Sequence, residues 1–310
     1  MMNEINIVKY IQSGLVLKNL GRKKIFDTII FEKIDKDIID EYKGFQIYTL
    51  EDYGYDFSIN GKLISLVEDS NNILLIIDKL NINYIIPFIK KAKSIGINFT
   101  IINIGAGVSS AINKDILESD DISTLLNYEF DILEYYDFVT FFEYTIKKGQ
   151  KYIRVPYRTI TGSLSKDNSI GIDPYGKISN LTGLGLVGEN GTILVGASML
   201  QDTIQFTNLA RESGLMYDVF CIHDHNFKLN QEILESLQKT EELIIIIDQI
   251  YNKNYLDRIK SQLWDIGIID CKIRFISPDE KIGTKNEEFI WEDVKFDGKG
   301  IYNKLTNNLQ

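Results

Sequence analysis

Stretches of consecutive apolar residues alternate along this chain with stretches in which apolar residues recur every three or four positions. The first pattern predicts buried strands and the second predicts amphipathic helices. The strands predicted in the first half are Ile25–Phe31, Phe45–Leu50, Ile73–Ile77, Phe99–Ile104 and Tyr152–Val155. Helices are predicted over Asn3–Leu20, Asp35–Tyr42, Tyr84–Ser94, Asp121–Asn127 and Asp137–Lys147, with weaker helical character over Asp52–Ile64. This alternation is typical of parallel strands covered on both faces.

The second half of the chain repeats the alternation after a polar, glycine-containing connector. Its predicted strands are Thr192–Val195, Tyr217–Ile222, Leu243–Ile247 and Cys271–Ile276. Its predicted helices are Leu200–Ser213, Gln231–Gln238, Asn254–Trp264 and a last one within Trp291–Leu309. We therefore expect an α/β protein of two doubly wound domains with mainly parallel sheets. The first domain is predicted over residues 1–160, the linker over 161–190 and the second domain over 191–310.

Composition and charge exclude several classes of partner. The formal net charge is −10, and the sequence has no basic tract. Nucleic acids and anionic membranes are bound through clustered Lys and Arg, so both are disfavoured as partners. No window approaches the roughly 18 apolar residues of a membrane span, and no signal-peptide core is present. The two cysteines, Cys221 and Cys271, are too few for a disulfide framework, so we expect a protein of the reducing cytoplasm.

Two glycine-rich stretches are candidate ligand loops. Residues 183–188 match the letters of the dinucleotide-binding fingerprint Gly-x-Gly-x-x-Gly. That fingerprint works between a strand and a helix, whereas here a polar connector precedes it and a strand follows, so a glycine-rich linker is favoured. Gly105-Ala106-Gly107 is better placed, because it directly follows a predicted strand and would let a ligand approach the backbone. A plain tight turn is equally compatible with it.

The two histidines of the chain, His223 and His225, flank Asp224 at the end of a predicted strand. A spacing of two residues puts both rings on one face, so a metal site is conceivable. Transition-metal sites need three or four converging ligands, and Asp224 faces the other way, so we disfavour a metal. A hydrolytic triad is also disfavoured, because no Ser or Cys occupies a nucleophile turn.

Two charged residues follow the ends of predicted strands. Glu51 closes the strand Phe45–Leu50, where a carboxylate can face a cleft and act as a general acid or base. On the residues alone, an acidic residue at a helix N-terminus is favoured for Glu51. Arg158 follows Pro156 and could clamp a phosphate or carboxylate, or form an ordinary surface ion pair. For Arg158 the residues alone leave the two alternatives open.

Placed in order, these elements resemble the C-terminal half of a transketolase, which is a pyrimidine-binding domain followed by a C-terminal domain. Lys151–Arg158 resembles the closing strand of the first domain, with its Ile-Arg pair and a second arginine. Gly191–Gly214 resembles the strand-Gly-Ser-helix opening of the second domain, and Leu243–Asp248 resembles its strand that ends in an acidic residue. Residues 291–302 resemble the last helices of the family. The resemblance spans essentially the whole chain.

The resemblance implies thiamine diphosphate as cofactor, with Glu51 as the catalytic residue. In the family, a glutamate on the pyrimidine-binding domain hydrogen-bonds the aminopyrimidine ring and starts the proton transfer that activates the cofactor. Glu51 closes a predicted strand 54 positions before Gly105, a separation similar to that in the family. Tyr84 is the residue that resembles the aromatic shelf under the pyrimidine.

The resemblance also assigns residues to the substrate side of the site. Residues 105–109 resemble the family's Gly-Val-Ser loop, with Gly105 and Gly107 beside the cofactor and Ser109 beside the substrate. Arg158 resembles the arginine that holds a sugar phosphate in transketolases. The family's loop carries histidines, whereas residues 109–114 contain none.

The diphosphate and its Mg²⁺ are bound in this family by another domain, which carries Gly-Asp-Gly and an asparagine. The present sequence contains no Gly-Asp-Gly. Magnesium needs oxygen ligands together with phosphate, so the resemblance implies a separate partner that provides them. The expected partner is an N-terminal transketolase-like subunit, and the expected assembly is a homodimer of this chain within a heterotetramer.

The leading hypothesis is the C-terminal subunit of a split transketolase-like enzyme that transfers a two-carbon ketol unit between sugar phosphates. One alternative is a non-catalytic structural or regulatory subunit, favoured by the histidine-free loop and by the bulky, acidic residues 52–56 after Glu51. Another alternative is the beta subunit of a 2-oxo acid dehydrogenase, because that subunit has the same two domains. Deoxyxylulose-phosphate synthase contains them as well, so the resemblance leaves the subfamily open.

Overall fold

A computed structural model describes residues 26–32, 46–50, 58–77, 82–105, 125, 131–134, 149–155, 178–180, 187–248, 253–278 and 295–306. It confirms the predicted α/β architecture of two mainly parallel sheets alternating with helices. By their contacts, the described residues form two compact units. The first unit holds the described residues up to 105 together with 131–133 and 149–155. The second unit holds Leu125, Glu134 and the described residues from 178 onward.

The first unit is built on a six-stranded sheet with the order β2-β1-β3-β4-β6-β5. Its strands are β1 (Thr28–Phe31), β2 (Gln46–Thr49), β3 (Asn72–Ile77), β4 (Asn98–Ile104), β5 (Asp131–Glu134) and β6 (Gln150–Val155). The neighbours from β2 to β6 pair in parallel, and Asn103 of β4 lies opposite Ile77 on one side and Arg154 on the other. Sequence patterning missed β5, because its sequence Asp-Ile-Leu-Glu has only two apolar residues between two acidic ones.

Two helices are described in the first unit, α1 (Ser58–Glu68) and α2 (Ile82–Ser94). Helix α2 confirms the helix predicted over Tyr84–Ser94. Its buried residues form one stripe at helical spacing: Ile85, Phe88, Ile89 and Ala92. The ring of Phe88 packs edge-on against Phe99 of β4, with the ring centroids 5.8 Å apart. Four predicted helices lie outside the described residues: Asn3–Leu20, Asp35–Tyr42, Asp137–Lys147 and Asp121–Asn127, of which only residue 125 is described.

The second unit is built on a five-stranded sheet with the order β11-β10-β8-β9-β7. Its strands are β7 (Ile178–Asn180), β8 (Thr192–Gly196), β9 (Asp218–Ile222), β10 (Glu242–Ile246) and β11 (Lys272–Ile276). Strands β8 to β11 run parallel, and β7 pairs antiparallel with β9. Strand β7 comes from residues that the sequence predicts as a linker, where three residues give too short a pattern to detect.

The helices of the second unit are α3 (Leu200–Glu212), α4 (Gln231–Thr240), α5 (Lys253–Asp265) and α6 (Gly298–Thr306). A single 3₁₀ turn, Ala197–Met199, joins β8 to α3. Helices α3 and α6 pack together on the sheet around a core that includes Met199, Phe206, Phe296, Ile301 and Leu305. No helix among the described residues is both long enough and apolar enough to span a bilayer.

Each sheet has one point where consecutive connections leave in opposite directions. In the first sheet this point lies between β1 and β3, and in the second it lies between β8 and β10. In open α/β sheets the crevice outside the carboxyl ends of the strands at such a point is the usual ligand site. The fold therefore offers one candidate crevice in each unit.

Gly188, the last glycine of the Gly-x-Gly-x-x-Gly stretch, has a packing role in the second unit. Its N–H donates to the buried carboxylate of Asp218 at 2.6 Å, and the hydroxyl of Ser236 donates to the same carboxylate at 2.7 Å. A Cβ at position 188 would overlap the backbone nitrogen of Asp218 and would lie 2.8 Å from the carbonyl carbon of Tyr217. Close packing against β9 therefore explains this glycine without a nucleotide.

Replacing Gly188 by Ala should destabilise the second unit by about 1–3 kcal/mol, because backbone atoms cannot move aside as side chains can. The matched replacement Gly61→Ala should stabilise the first unit by about 0.5–1 kcal/mol, since Gly61 lies inside helix α1 with nothing within 4 Å of its added Cβ. Urea unfolding followed by circular dichroism measures both changes. Equal stability of the Gly188→Ala variant and the parent protein would contradict the packing role.

Candidate functional site at the carboxyl edge of the first sheet

The carboxyl ends of five parallel strands meet at one edge of the first sheet. Leu50 extends the pairing of β2, because its N–H donates to the carbonyl of Phe31 at 2.8 Å. Gly105 extends the pairing of β4 in the same way, donating to the carbonyl of Val155 at 2.7 Å. These contacts fix where the chain leaves the sheet toward the predicted site residues.

The structure describes two of the six predicted site residues. Gly105 has a φ of +73°, a left-handed conformation that favours glycine, so the turn after β4 depends on this residue. Tyr84 lies in the first turn of α2 and is 42% exposed, so its ring is accessible for stacking. Glu51, Gly107, Ser109 and Arg158 lie outside the described residues and stay predictions.

The strand order sets the spacing of the points from which the chain continues toward these residues. In the sequence, Glu51 follows β2, Gly107 and Ser109 follow β4, and Arg158 follows β6. At about 4.8 Å per strand, the exits of β2 and β4 are about 14 Å apart and those of β2 and β6 about 19 Å.

A buried polar group lies at the same edge, and sequence reasoning did not single it out as part of a site. The side-chain amide of Asn103 donates to the hydroxyl of Tyr152 at 2.6 Å. Arg154 lies opposite Asn103 in the adjacent strand and is 1% exposed. The side-chain oxygen of Asn103 is buried and has no hydrogen-bond partner among the described residues. Buried polar atoms normally have a hydrogen-bond partner, so this oxygen can accept a hydrogen bond from a donor that is not among the described residues.

A signal for this group exists in the sequence. Asn103 interrupts an otherwise apolar run, and Tyr152 and Arg154 alternate with apolar residues along β6. Polar residues at every second position of a buried strand share one face, so the pattern could have indicated a polar cluster. Strand β6 is therefore more than an apolar closing strand, because its arginine, Arg154, is buried inside the protein.

A second buried polar cluster occupies the carboxyl edge of the second sheet. The carboxylate of Glu134 accepts the backbone N–H of Ser198 at 2.5 Å and contacts Nε2 of His225 at 2.9 Å. The other ring nitrogen of His225 lies 3.2 Å from the hydroxyl of Tyr255. Glu134, His225 and Tyr255 are each no more than 1% exposed. The logic that selects Glu51, a carboxylate closing a strand, would also have selected Glu134 if the short strand β5 had been recognised.

The two histidines have different partners in the structure. His225 contacts Glu134 and Tyr255, whereas Nδ1 of His223 lies 3.9 Å from the thiol of Cys221. Over the described ranges, no group of three or more His, Cys, Asp or Glu side chains could hold a metal ion. Burial raises the pKa of the Cys221 thiol well above its ordinary value, and the charge of Glu134 raises this pKa further.

No family model and no curated protein matches the sequence. Among solved structures, a chain described as a split-gene transketolase, an inactive β4 tetramer, matches 97% of this chain and 97% of its own length. The TM-score is 0.66 and the sequence identity 12%. The chain has a transketolase-like fold. The transketolase of Campylobacter jejuni subsp. jejuni NCTC 11168 matches with a TM-score of 0.57 at 13% identity, covering 76% of this chain and 35% of its own.

This transketolase-like fold confirms the family resemblance at the level of architecture. The likeness to the split-gene chain runs over nearly the full length of both chains, so it includes both α/β units in the same order. At 12–13% identity the likeness is one of fold, and the activity has to be argued from the residues themselves.

The two cysteines of the transketolase-like chain should react at very different rates. Cys271 is partly exposed, whereas Cys221 is fully buried in β9. Burial raises the pKa of both thiols, which lowers their thiolate fractions at neutral pH. Reaction of Cys221 also requires local opening of the core, so we expect it to be on the order of 10² or more slower.

Timed labelling at pH 8 with a thiol reagent, followed by peptide mass spectrometry, measures the two rates. Labelling in guanidinium chloride is the control, because the two thiols should then react alike. Equal rates in the folded protein would show that Cys221 is accessible, which would contradict its burial beside Glu134.

Proposed function

We propose that this chain is the C-terminal-type subunit of a split transketolase-like enzyme that depends on thiamine diphosphate. The full-length likeness to a split-gene transketolase chain is the observation that supports this proposal most strongly. It agrees with a chain that has two α/β units and lacks the Gly-Asp-Gly sequence of the diphosphate-binding domain. The reaction proposed is the transfer of a two-carbon ketol unit between sugar phosphates.

The chain's own part of the site is the carboxyl edge of the first sheet. Glu51 is proposed to hydrogen-bond the aminopyrimidine ring and to hold the proton that is moved during activation. Tyr84, whose ring is accessible, is proposed to stack on that ring, and Gly105 and Gly107 let the backbone approach it. When bound, thiamine diphosphate supplies the carbanion chemistry for cleavage of a carbon–carbon bond.

The substrate side of the site is proposed to lie toward β4 and β6. Ser109 would hydrogen-bond the sugar, and Arg158 would hold its phosphate through the planar guanidinium group. The exits of β2 and β6 lie about 19 Å apart, which leaves room for the cofactor ring and a sugar phosphate side by side along the edge. The orphaned oxygen of Asn103 agrees with a polar ligand or a bound water at this edge.

A partner subunit is part of the proposal. Mg²⁺ and the diphosphate require several oxygen ligands, and the family places them on a domain that this sequence does not match. An N-terminal transketolase-like subunit would supply that domain, with two copies of each chain in the complete enzyme. The similar split-gene chain is described as inactive in a tetramer of one chain type, which agrees with a requirement for a second subunit.

A non-catalytic subunit is the second candidate function. The observation in its favour is the histidine-free stretch 109–114, because the loop at this position usually contributes histidines to the chemistry in the family. Such a subunit would keep the fold and the assembly surface while the reaction is lost.

Replacing Glu51 by Ala in the complex with the N-terminal subunit should lower the rate about 10²–10⁴-fold, because the proton transfer would lose its acid–base group. The matched control is Glu68→Ala, which removes only an exposed ion pair with Lys91 (3.0 Å) and should leave the rate unchanged. Steady-state assays with a ketose phosphate donor and an aldose phosphate acceptor measure both. A Glu51→Ala complex with the parental rate would exclude the proposed role.

Titration calorimetry with thiamine diphosphate and Mg²⁺ separates the two candidate functions. The chain alone should bind the cofactor weakly or not at all, whereas the complex with its N-terminal subunit should bind it with a saturable heat and turn over. A stable complex that binds no cofactor would support the non-catalytic subunit and would contradict the enzyme.

A further inference from the structure

The ligand crevice of the second sheet is filled by a side chain of the protein itself. The connections that follow β8 and β10 leave in opposite directions at the carboxyl edge, where Gly196 and Ile247 lie. An added Cβ at Gly196 would lie 3.2 Å and 3.6 Å from the two carboxylate oxygens of Glu134 and 3.5 Å from Cγ2 of Ile247. The carboxylate of Glu134 is therefore seated where open α/β sheets usually bind their ligands.

The groups around this carboxylate are those of an anion site. One oxygen accepts the N–H of Ser198, in the 3₁₀ turn that opens helix α3, where backbone N–H groups have no partners within the helix. The second oxygen faces Nε2 of His225 at 2.9 Å. The hydroxyl of Ser198 is also buried and has no hydrogen-bond partner among the described residues. The site thus has one spare hydroxyl beyond the donors that Glu134 already uses.

The imidazole of His225 has a polar contact at each ring nitrogen. Nε2 faces the carboxylate oxygen of Glu134 at 2.9 Å, so a proton on this nitrogen donates to the carboxylate, and Nδ1 lies 3.2 Å from the hydroxyl of Tyr255. Tyr255 belongs to helix α5, and its ring also lies edge-on to the imidazole, with centroids 5.8 Å apart. The ring of His225 is held in place from both ends, so its Nε2–H is preorganised for an oxygen anion.

We propose that Ser198, His225 and Tyr255 form a carboxylate-binding site in the second unit, in which the side chain of Glu134 is the resident ligand. The site recognises the carboxylate group itself, through one backbone N–H and one imidazole N–H, and it accepts a free carboxylate of matching size when the resident one is removed. This internal occupancy leaves the carboxyl edge of the first sheet as the position for an external ligand.

Acetate provides a direct test, because Glu134→Ala deletes one methylene group and one carboxylate, the same heavy atoms that acetate contains. The variant should be less stable to urea than the parent protein, since the Ser198 N–H and the His225 Nε2–H lose their buried acceptor. Sodium acetate at about ten times its Kd should raise the folding equilibrium constant of Glu134→Ala about tenfold. The same concentration of sodium chloride should not do so, and acetate should have no such effect on the parent protein.

Two further variants separate site-specific binding from a general salt effect. Glu134→Ala combined with His225→Phe keeps an aromatic ring but removes the imidazole donor, so the acetate effect should disappear. Glu212→Ala removes an exposed glutamate on α3 and should show no acetate effect at all. Persistence of the acetate effect without the imidazole, or an equal effect on the Glu212→Ala protein, would overturn the proposal.

A variant that does not fold in plain buffer still decides the question. Recovery of folded Glu134→Ala only when acetate is present during refolding would support the site. Failure to fold at every acetate concentration up to about a hundred times a millimolar Kd would overturn it. A Glu134→Ala protein that is as stable as the parent and indifferent to acetate would overturn it as well.

Discussion

The constraint on which this structure depends is the parallel pairing of its strands. Each connection between parallel strands must cross a face of the sheet, so both faces are covered and the strands become continuously apolar. The same constraint brings all the carboxyl ends of the strands to one edge, where the loops emerge. Burial, topology and the position of any ligand therefore have one common physical cause in both units.

The two carboxyl edges satisfy their polar groups in different ways. At the edge of the second sheet, the carboxylate of Glu134 accepts the N–H of Ser198 and contacts His225, so the donors there have an internal partner. At the edge of the first sheet, the side-chain oxygen of Asn103 is buried without a partner among the described residues. The hydroxyl of Ser198 at the second edge also has no partner among the described residues, so both edges keep polar capacity for a ligand or a water molecule.

The transketolase-like fold gives this difference a functional interpretation. In the proposed enzyme, the first sheet carries the acid that activates the cofactor, and the carboxyl edge of the second sheet holds an internal carboxylate. The proposal assigns the diphosphate and its metal to a second polypeptide. A split of this kind places the acid–base group and the phosphate site on separate chains.

Apolar periodicity determined most of the architecture. Long strands such as β3 and β4 and the buried stripe of helix α2 were predictable because each element must bury its own continuous or periodic apolar face. Strands β5 and β7 were not, because β5 has only two apolar residues between two acidic ones and the three residues of β7 are too few to establish a period. The family resemblance was visible in the order of the elements even though 12–13% of residues are identical to the similar structures.

Tertiary structure alone decided which polar residues meet. Glu134 and His225 lie 91 positions apart in the chain, and Asn103 and Tyr152 lie 49 apart, so no local pattern could pair them. Their encounters follow from strand order and register, which are set by the packing of the whole sheet. The sequence by itself thus determined the elements and their layers, while the folded chain determined the polar contacts, because hydrophobic burial is a local pattern and hydrogen-bond partners are not.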